Sequence, residues 1–231
     1  AFSYVIFVLE KSYHSDYIKP CPGLKTECLK PNILETIPLF VKGIPSLGIN
    51  SSDPLRQEKV DLELPGGLQI HFRDGLLTGF RKCVVESVSY LDLEADLSLR
   101  CNLTVKGKYS ATGRILIVSI NGDGDAKIKT PNIQFESKLI FQDVVRDGVE
   151  YRVVKDYKVK YQFGEKVTFA FTNLFKGNPQ LSETVLLFLN ENWKQVVDEF
   201  GKPVVDTIIK ATFDNIKRFF DKIPKNELFV D

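Results

Sequence analysis

The chain has 231 residues, 43% of them apolar and 26% charged, enough to bury a sizeable core as one domain. Lys and Arg number 31 against 30 Asp and Glu, and the net charge of +1 gives no overall field that would argue for a nucleic acid or an anionic membrane. No run approaches the 18 or so apolar residues of a membrane-spanning helix, so stable membrane insertion is not expected.

Residues 1–15 form an N-terminal extension whose apolar start, Ala1 to Leu9, gives way to polar residues. It reads equally as the tail of a secretory signal, as residues left by cloning, or as an element start packed on the core. The sequence contains no Met, so any initiator is expected to have been removed. Cys21 and Cys28 come next, with Pro22 and Gly23 bending the chain between them. A disulfide closing that small loop suits the spacing and would contribute about 2–3 kcal/mol by loop entropy. From Leu24 to Val41 the residues Ile33, Leu34, Ile37, Phe40 and Val41 recur at the helical period. Pro31 suits a first turn, and Pro38 is expected to kink or end the helix. Lys42 to Leu55, rich in Gly, Pro and Ser, reads as a loop.

Between Val60 and Leu174 the period becomes two. Val60, Leu62 and Leu64 alternate with acidic residues, and Leu97, Leu99, Cys101, Leu103 and Val105 with polar ones. Ile133, Phe135, Leu139 and Phe141 share one face, as do Tyr157, Val159, Tyr161 and Phe163, and Val167, Phe169 and Phe171 close the series. Strict alternation predicts an antiparallel sheet with one apolar and one wet face. Cys83 and Cys101 flank a predicted hairpin near Asp92, and the sequence leaves open whether they are bridged. The sequons at Asn50 and Asn102 fit a secreted chain but also arise by chance. Asn121 to Asp125 (NGDGD) spaces oxygens as a calcium loop does, yet Ala126 stands where such a loop needs Gly and Asn132 where it needs Glu. It therefore reads as a turn or bulge in the sheet.

The last third is helical in period from Ser182, a candidate cap, to Phe220. A continuous helix of that extent would be about 58 Å long, and Gly201 and Pro203 are expected to bend it. A second stripe (Leu186, Leu187, Val205, Ile209, Phe213) widens its apolar surface, so it must be covered on more than one side. A sheet wrapped around the helix would solve the burial problem of both; a sandwich with a helix laid on it would share the pattern.

Catalytic chemistry has little to build on. His14 and His71 are the only histidines, both read as surface residues, and no nucleophile elbow, phosphate-binding loop or CxxC is present. No catalytic residue, cofactor or metal is expected, and the chain reads as a non-enzyme. The 17 Phe and 8 Tyr suit either a packed core or the lining of an apolar pocket, and periodicity alone does not separate the two.

Four motifs break that tie. Asp16 to Leu29 (DYIKPCPGLKTECL), Lys42 to Leu55 (KGIPSLGINSSDPL), Thr172 to Val196 (TNLFKGNPQLSETVLLFLNENWKQV) and Ile223 to Phe229 (IPKNELF) occur in order. Together they resemble the insect takeout/juvenile-hormone-binding-protein family of the tubular lipid-binding superfamily, from about Asp16 to Phe229, nearly the whole chain, and residues 16–231 are expected to form one such domain. The resemblance implies an α+β fold in which a strongly curved antiparallel sheet wraps a long C-terminal helix around an apolar tunnel. It also implies a secreted carrier, in haemolymph or a similar fluid, of a terpenoid, juvenile-hormone-like, isoprenoid or fatty ligand, expected to be monomeric. The cysteine pair typical of takeout proteins maps to Cys21 and Cys28. The second bridge of the hormone-binding relatives has no counterpart after Cys101, which favours the takeout branch. Under this reading the ligand-facing residues are Leu99, Leu103, Phe135, Leu139, Tyr161, Phe163, Phe169 and Phe171 on strands and Val185, Leu189, Trp193, Val197 and Phe200 on the helix. The competing class is a solid-cored interaction module without ligand.

Overall fold

The computed structural model describes Lys19 and residues 21–229; His14 and the other residues of the N-terminal extension lie outside it. Seven strands form one antiparallel sheet: β1 (Leu55–Leu64), β2 (Leu68–Thr78), β3 (Val84–Leu91), β4 (Glu94–Ile115), β5 (Val118–Arg146), β6 (Val149–Phe163) and β7 (Thr168–Phe171). The order is β1-β2-β4-β5-β6, with β3 beside β4 and β7 beside β5. Helix α1 (Thr26–Phe40) precedes the sheet; α2 (Pro179–Glu191), α3 (Trp193–Lys222) and α4 (Lys225–Leu228) follow it.

The 22 residues of β4 and the 29 of β5 make one long ribbon, paired from Ile115 with Val118 out to Glu94 with Ile140. A straight strand as long as β5 would run about 95 Å. Instead the ribbon curves, as twist and bulges dictate. The register shifts between Cys101 and Leu103, opposite Asn132 at φ 46°, and again between Ile140 and Phe141 against β6. Helix α3 packs against both β1 and β6, the two ends of the strand order, so the curved sheet encloses it. The alternation predicted for β4 holds: Cys101, Leu103, Tyr109, Ala111 and Ile115 are buried, and their outward neighbours are wet.

The structure differs from the local expectations at five places. NGDGD is neither a turn nor a bulge: it lies in β5, paired in continuous register with Lys108–Thr112 of β4. Its glycines let residues 172–174 cross at close range. A Cβ on Gly124 would stand 2.4 Å from the Thr172 carbonyl oxygen, and one on Gly122 3.0 Å from the Leu174 Cα. The Thr172 N–H donates to the Asp125 carbonyl (2.9 Å) and the Asp123 N–H to that of Asn173 (3.2 Å). The C-terminal helix breaks at Asn192 (φ −100°, ψ 26°), and a single helix runs through Gly201 and Pro203. The Asn192 backbone N–H and Nδ2 both donate to the Phe188 carbonyl, at 3.0 and 2.9 Å, a side-chain competition with the backbone that favours helix ends. Asn178 is the cap of α2, its Oδ1 accepting from the Leu181 N–H at 3.0 Å, while Ser182 is buried inside the helix. Helix α1 continues through both Pro31 and Pro38. The Gly/Pro-rich segment after it is no surface loop: Ile44, Leu47 and Ile49 are buried against Phe219, Ile223 and Leu228.

Two disulfides are present, Cys21–Cys28 and Cys83–Cys101. The second settles what the sequence left open. With Val84 opposite Arg100, the two cysteines face each other across the β3–β4 hairpin.

Candidate ligand site

Three apolar cavities lie between the sheet and its helices. The largest, about 320 Å³, sits between α1 and the C-terminal half of α3, under β3–β6. Ile33, Ile37 and Phe40 of α1, Leu139 and Phe141 of β5, and Phe213 and Phe220 of α3 line it. A second, about 150 Å³, lies between β4, β5 and β7 and the α2–α3 junction, against Leu103, Phe169, Leu189, Val197 and Phe200. A third, about 140 Å³, is walled by Leu55, Leu62, Phe72 and Tyr109 across from Val204 and Thr207 of α3. Ile208 borders all three, and Phe135 is shared by the two larger ones.

The polar side chains along these walls are largely engaged with the protein itself. Ser137 Oγ donates to the Leu97 carbonyl (3.0 Å), Thr212 Oγ1 to that of Ile208 (2.9 Å) and Thr207 Oγ1 to that of Pro203 (2.9 Å). The Tyr109 hydroxyl donates to the Thr172 carbonyl at 2.8 Å, and burial, aided by the nearby Asp123 charge, pushes its pKa up to about 12. Ser52 accepts from Asn215 Nδ2 at 3.0 Å. A cavity walled by aliphatic and aromatic carbon with its hydroxyls so engaged is one water leaves empty and apolar matter fills.

An ion network covers one end of the largest cavity. Arg152 Nε and Nη2 donate to the two Asp143 oxygens at 2.7 and 2.8 Å, Nη1 donates to the Tyr90 hydroxyl at 2.8 Å, and Lys225 Nζ reaches Asp143 at 2.7 Å. The Arg152 guanidinium, with Lys225, holds the Asp143 carboxyl well below the usual carboxylate range. The same guanidinium lies 4.7 Å over the Phe229 ring, which lines the cavity. His71 is exposed on the outer face, its Nδ1 2.8 Å from Asp61 Oδ1. Lys59 first, and His71 second, lower the Asp61 pKa.

Ten of the thirteen residues predicted to face ligand border a cavity. Leu99 and Leu139 line the largest, and Leu103, Phe163, Phe169, Leu189, Val197 and Phe200 the second; Phe135 is shared by these two and Phe171 by the second and third. Tyr161, Val185 and Trp193 border none. Val185 and Trp193 pack in the main core, and Tyr161 in the adjoining cluster around Phe135. Sequence reasoning missed the α1 wall and the C-terminal aromatics Phe220 and Phe229. The periodic Ile33, Ile37 and Phe40 were the available signal, but they marked only a helix with an apolar face.

The family model described as haemolymph juvenile hormone binding protein (JHBP) matches residues 2–230. The chain belongs to this family. The circadian clock-controlled protein daywake of Drosophila yakuba is 26% identical over 229 residues, covering 92% of this chain and 86% of that protein. Its Drosophila melanogaster namesake is 25% identical over 228 residues, with the same coverage. The crystal structure of Epiphyas postvittana Takeout 1 superposes with a TM-score of 0.87 at 35% identity, over 93% of this chain and all of that one. The resemblance drawn from the motifs thus extends across the described chain, and this member has the takeout fold.

Proposed function

We propose that this chain is a carrier which binds a long apolar molecule non-covalently in the space between sheet and helix. The carrying observation is the chain of three carbon-lined cavities meeting at Ile208. Empty apolar space beside a core is destabilising in proportion to its volume, and the largest of the three measures about 320 Å³. A solid-cored interaction module has no use for such a void; a carrier does.

The ligand class that fits is a terpenoid, juvenile-hormone-like, isoprenoid or fatty molecule. Each buried CH₂ contributes about 0.8 kcal/mol, so a chain-like molecule binds well without a charged anchor. Ten of the thirteen sequence-derived residues form contact surface in this reading, joined by Ile33, Ile37, Phe213 and Phe220. The family description, naming haemolymph and juvenile hormone, and two disulfides, which persist in oxidising compartments, support secretion into an extracellular fluid. In this reading the protein acts as a monomer and a non-enzyme. Residues 16–231 act as one domain.

Mass spectrometry of organic extracts from the purified protein is the test. A stoichiometric apolar molecule, or saturable uptake of an added terpenoid that raises Tm, is the expected result. A folded protein that carries nothing and takes up neither terpenoids nor fatty acids would overturn the carrier reading in favour of the interaction module.

A further inference from the structure

Positive and negative charges nearly cancel over the whole chain, but the fold does not distribute them evenly. The strand register sets Arg56 of β1 opposite Leu76 of β2, Leu76 opposite Lys106 of β4, and Lys106 directly opposite Lys127 of β5. Lys129 is two residues along from Lys127 on the same face, and Arg73 of β2 stands opposite Lys108 of β4 in the next row. The intervening Val105 and Ile128 line the cavities, so alternation turns these cations to the outside of the sheet. Arg56, Arg73, Lys106 and Lys129 are exposed and Lys127 is half-buried. Among the described residues none of these five side chains has a hydrogen-bond, ion-pair or ring partner, whereas the adjacent Lys59 and Lys108 are paired with Asp61 and Asp125. Glu58 and Asp74 stand at the β1–β2 edge and leave the patch with a positive excess. Directly opposed like charges weaken a strand pair, so Lys106 facing Lys127 does nothing for the sheet that carries them.

We propose that this outer face docks the protein on an anionic phospholipid surface. The unpaired cations spread over four neighbouring strands, with about 4.8 Å between strands and about 7 Å between successive outward residues. That is a two-dimensional array, complementary to a plane of acidic headgroups more than to a single polyanionic strand. The cavities lie directly behind the same strands, so docking would hold their apolar space beside a lipid phase. Attachment of this kind is peripheral, inserts no segment, and falls away with salt because the Debye length is only about 8 Å at physiological ionic strength. It rests on the charge array alone and stands whether or not the cavities hold a ligand.

The experiment is co-sedimentation of the full chain with phosphatidylserine-containing vesicles and with pure phosphatidylcholine vesicles, at low and high salt. Binding to the acidic vesicles alone, lost at high salt, is expected. Lys106→Glu, Lys127→Glu and Lys129→Glu combined should weaken it by about a hundredfold or more, since each basic residue near such a surface contributes about fivefold. The milder triple exchange to Gln should weaken it too, and it covers the case in which reversal impairs folding. Uptake of a fluorescent fatty probe should be unchanged in both variants, which separates failure of docking from failure of the carrier reading. Equal binding to both vesicle types, binding unaffected by the substitutions, or retention on heparin with none on vesicles would overturn the proposal.

Discussion

Exchanging Ile208 for Trp tests whether the three cavities act as one space. Ile208 sits on α3 where all three meet, and an indole there would fill the junction. In the wild type a straight-chain ligand that lengthens by one CH₂ extends into further apolar space and gains about 0.8 kcal/mol, about fourfold in Kd. In the variant a chain confined to one cavity stops gaining once that cavity is full. Four methylenes left unburied amount to about 3 kcal/mol, about two-hundredfold in Kd. The assay is displacement of a fluorescent apolar probe by a series of fatty alcohols of rising length. Plotted as log Kd against length, the wild type should fall steadily and the variant should level off early. Adjacent voids accommodate the larger ring, so the cost in stability should stay within the about 1–3 kcal/mol of ordinary overpacking, read separately by urea unfolding. Parallel lines in a folded variant would refute the shared junction and, with it, the single binding space.

Gly124→Ala would set a Cβ 2.4 Å from the Thr172 carbonyl oxygen, so the crossing segment must shift; a loss of about 1–3 kcal/mol and a Tm lower by about 2–4 °C per kcal/mol is expected in calorimetry. Replacing Cys83 and Cys101 together by Ser, which opens a bridge spanning 18 positions, should cost about 3 kcal/mol in denaturant unfolding, and full reduction should lower the wild type by that much more than the variant, which keeps only Cys21–Cys28. Asp143→Asn removes the negative charge that Arg152 and Lys225 share. Because the folded-state pKa of Asp143 is depressed, its contribution is fully present above the unfolded value of about 3.9 and is lost as pH falls through the folded value. The stability gap between wild type and variant should therefore be the same at pH 7 and pH 5 and narrow only below about pH 4; narrowing already between pH 7 and 5 would contradict the assignment.

The period-two pattern from Leu97 to Val105 and from Ile133 to Phe141 was enough to place the inward faces of β4 and β5, because a strand with one wet face must alternate. What the sequence concealed depended on neighbours distant in the chain. NGDGD looks like a turn until the segment at Thr172 is laid across it, when its glycines become the clearance for a crossing backbone. Pro203 looks like a hinge, yet α3 tolerates it inside a packed helix, and the break falls at Asn192, whose side chain can compete for the Phe188 carbonyl. Ile44, Leu47 and Ile49 sit in a stretch rich in turn residues, and only Phe219 and Ile223, far along the chain, make it part of the core. The hollow itself was illegible for the same reason. By period alone Leu139 and Phe213 suit a filled core as well as a pocket wall, and whether such residues meet or stand apart is decided by the curvature of the ribbon behind them.

The enclosure of α3 by the two ends of an open sheet has a mechanical consequence. A closed barrel widens only by breaking rungs of its own ladder, because every strand is bonded on both sides. Here β1 and β6 are joined through side-chain contacts with α3 and not through backbone pairing. A parting of the wall along that seam would slide apolar surfaces past one another and leave the β4–β5 spine and every inter-strand bond intact. Exchange of the ligand proposed above would then demand far less disruption than the length of the hydrogen-bonded wall suggests.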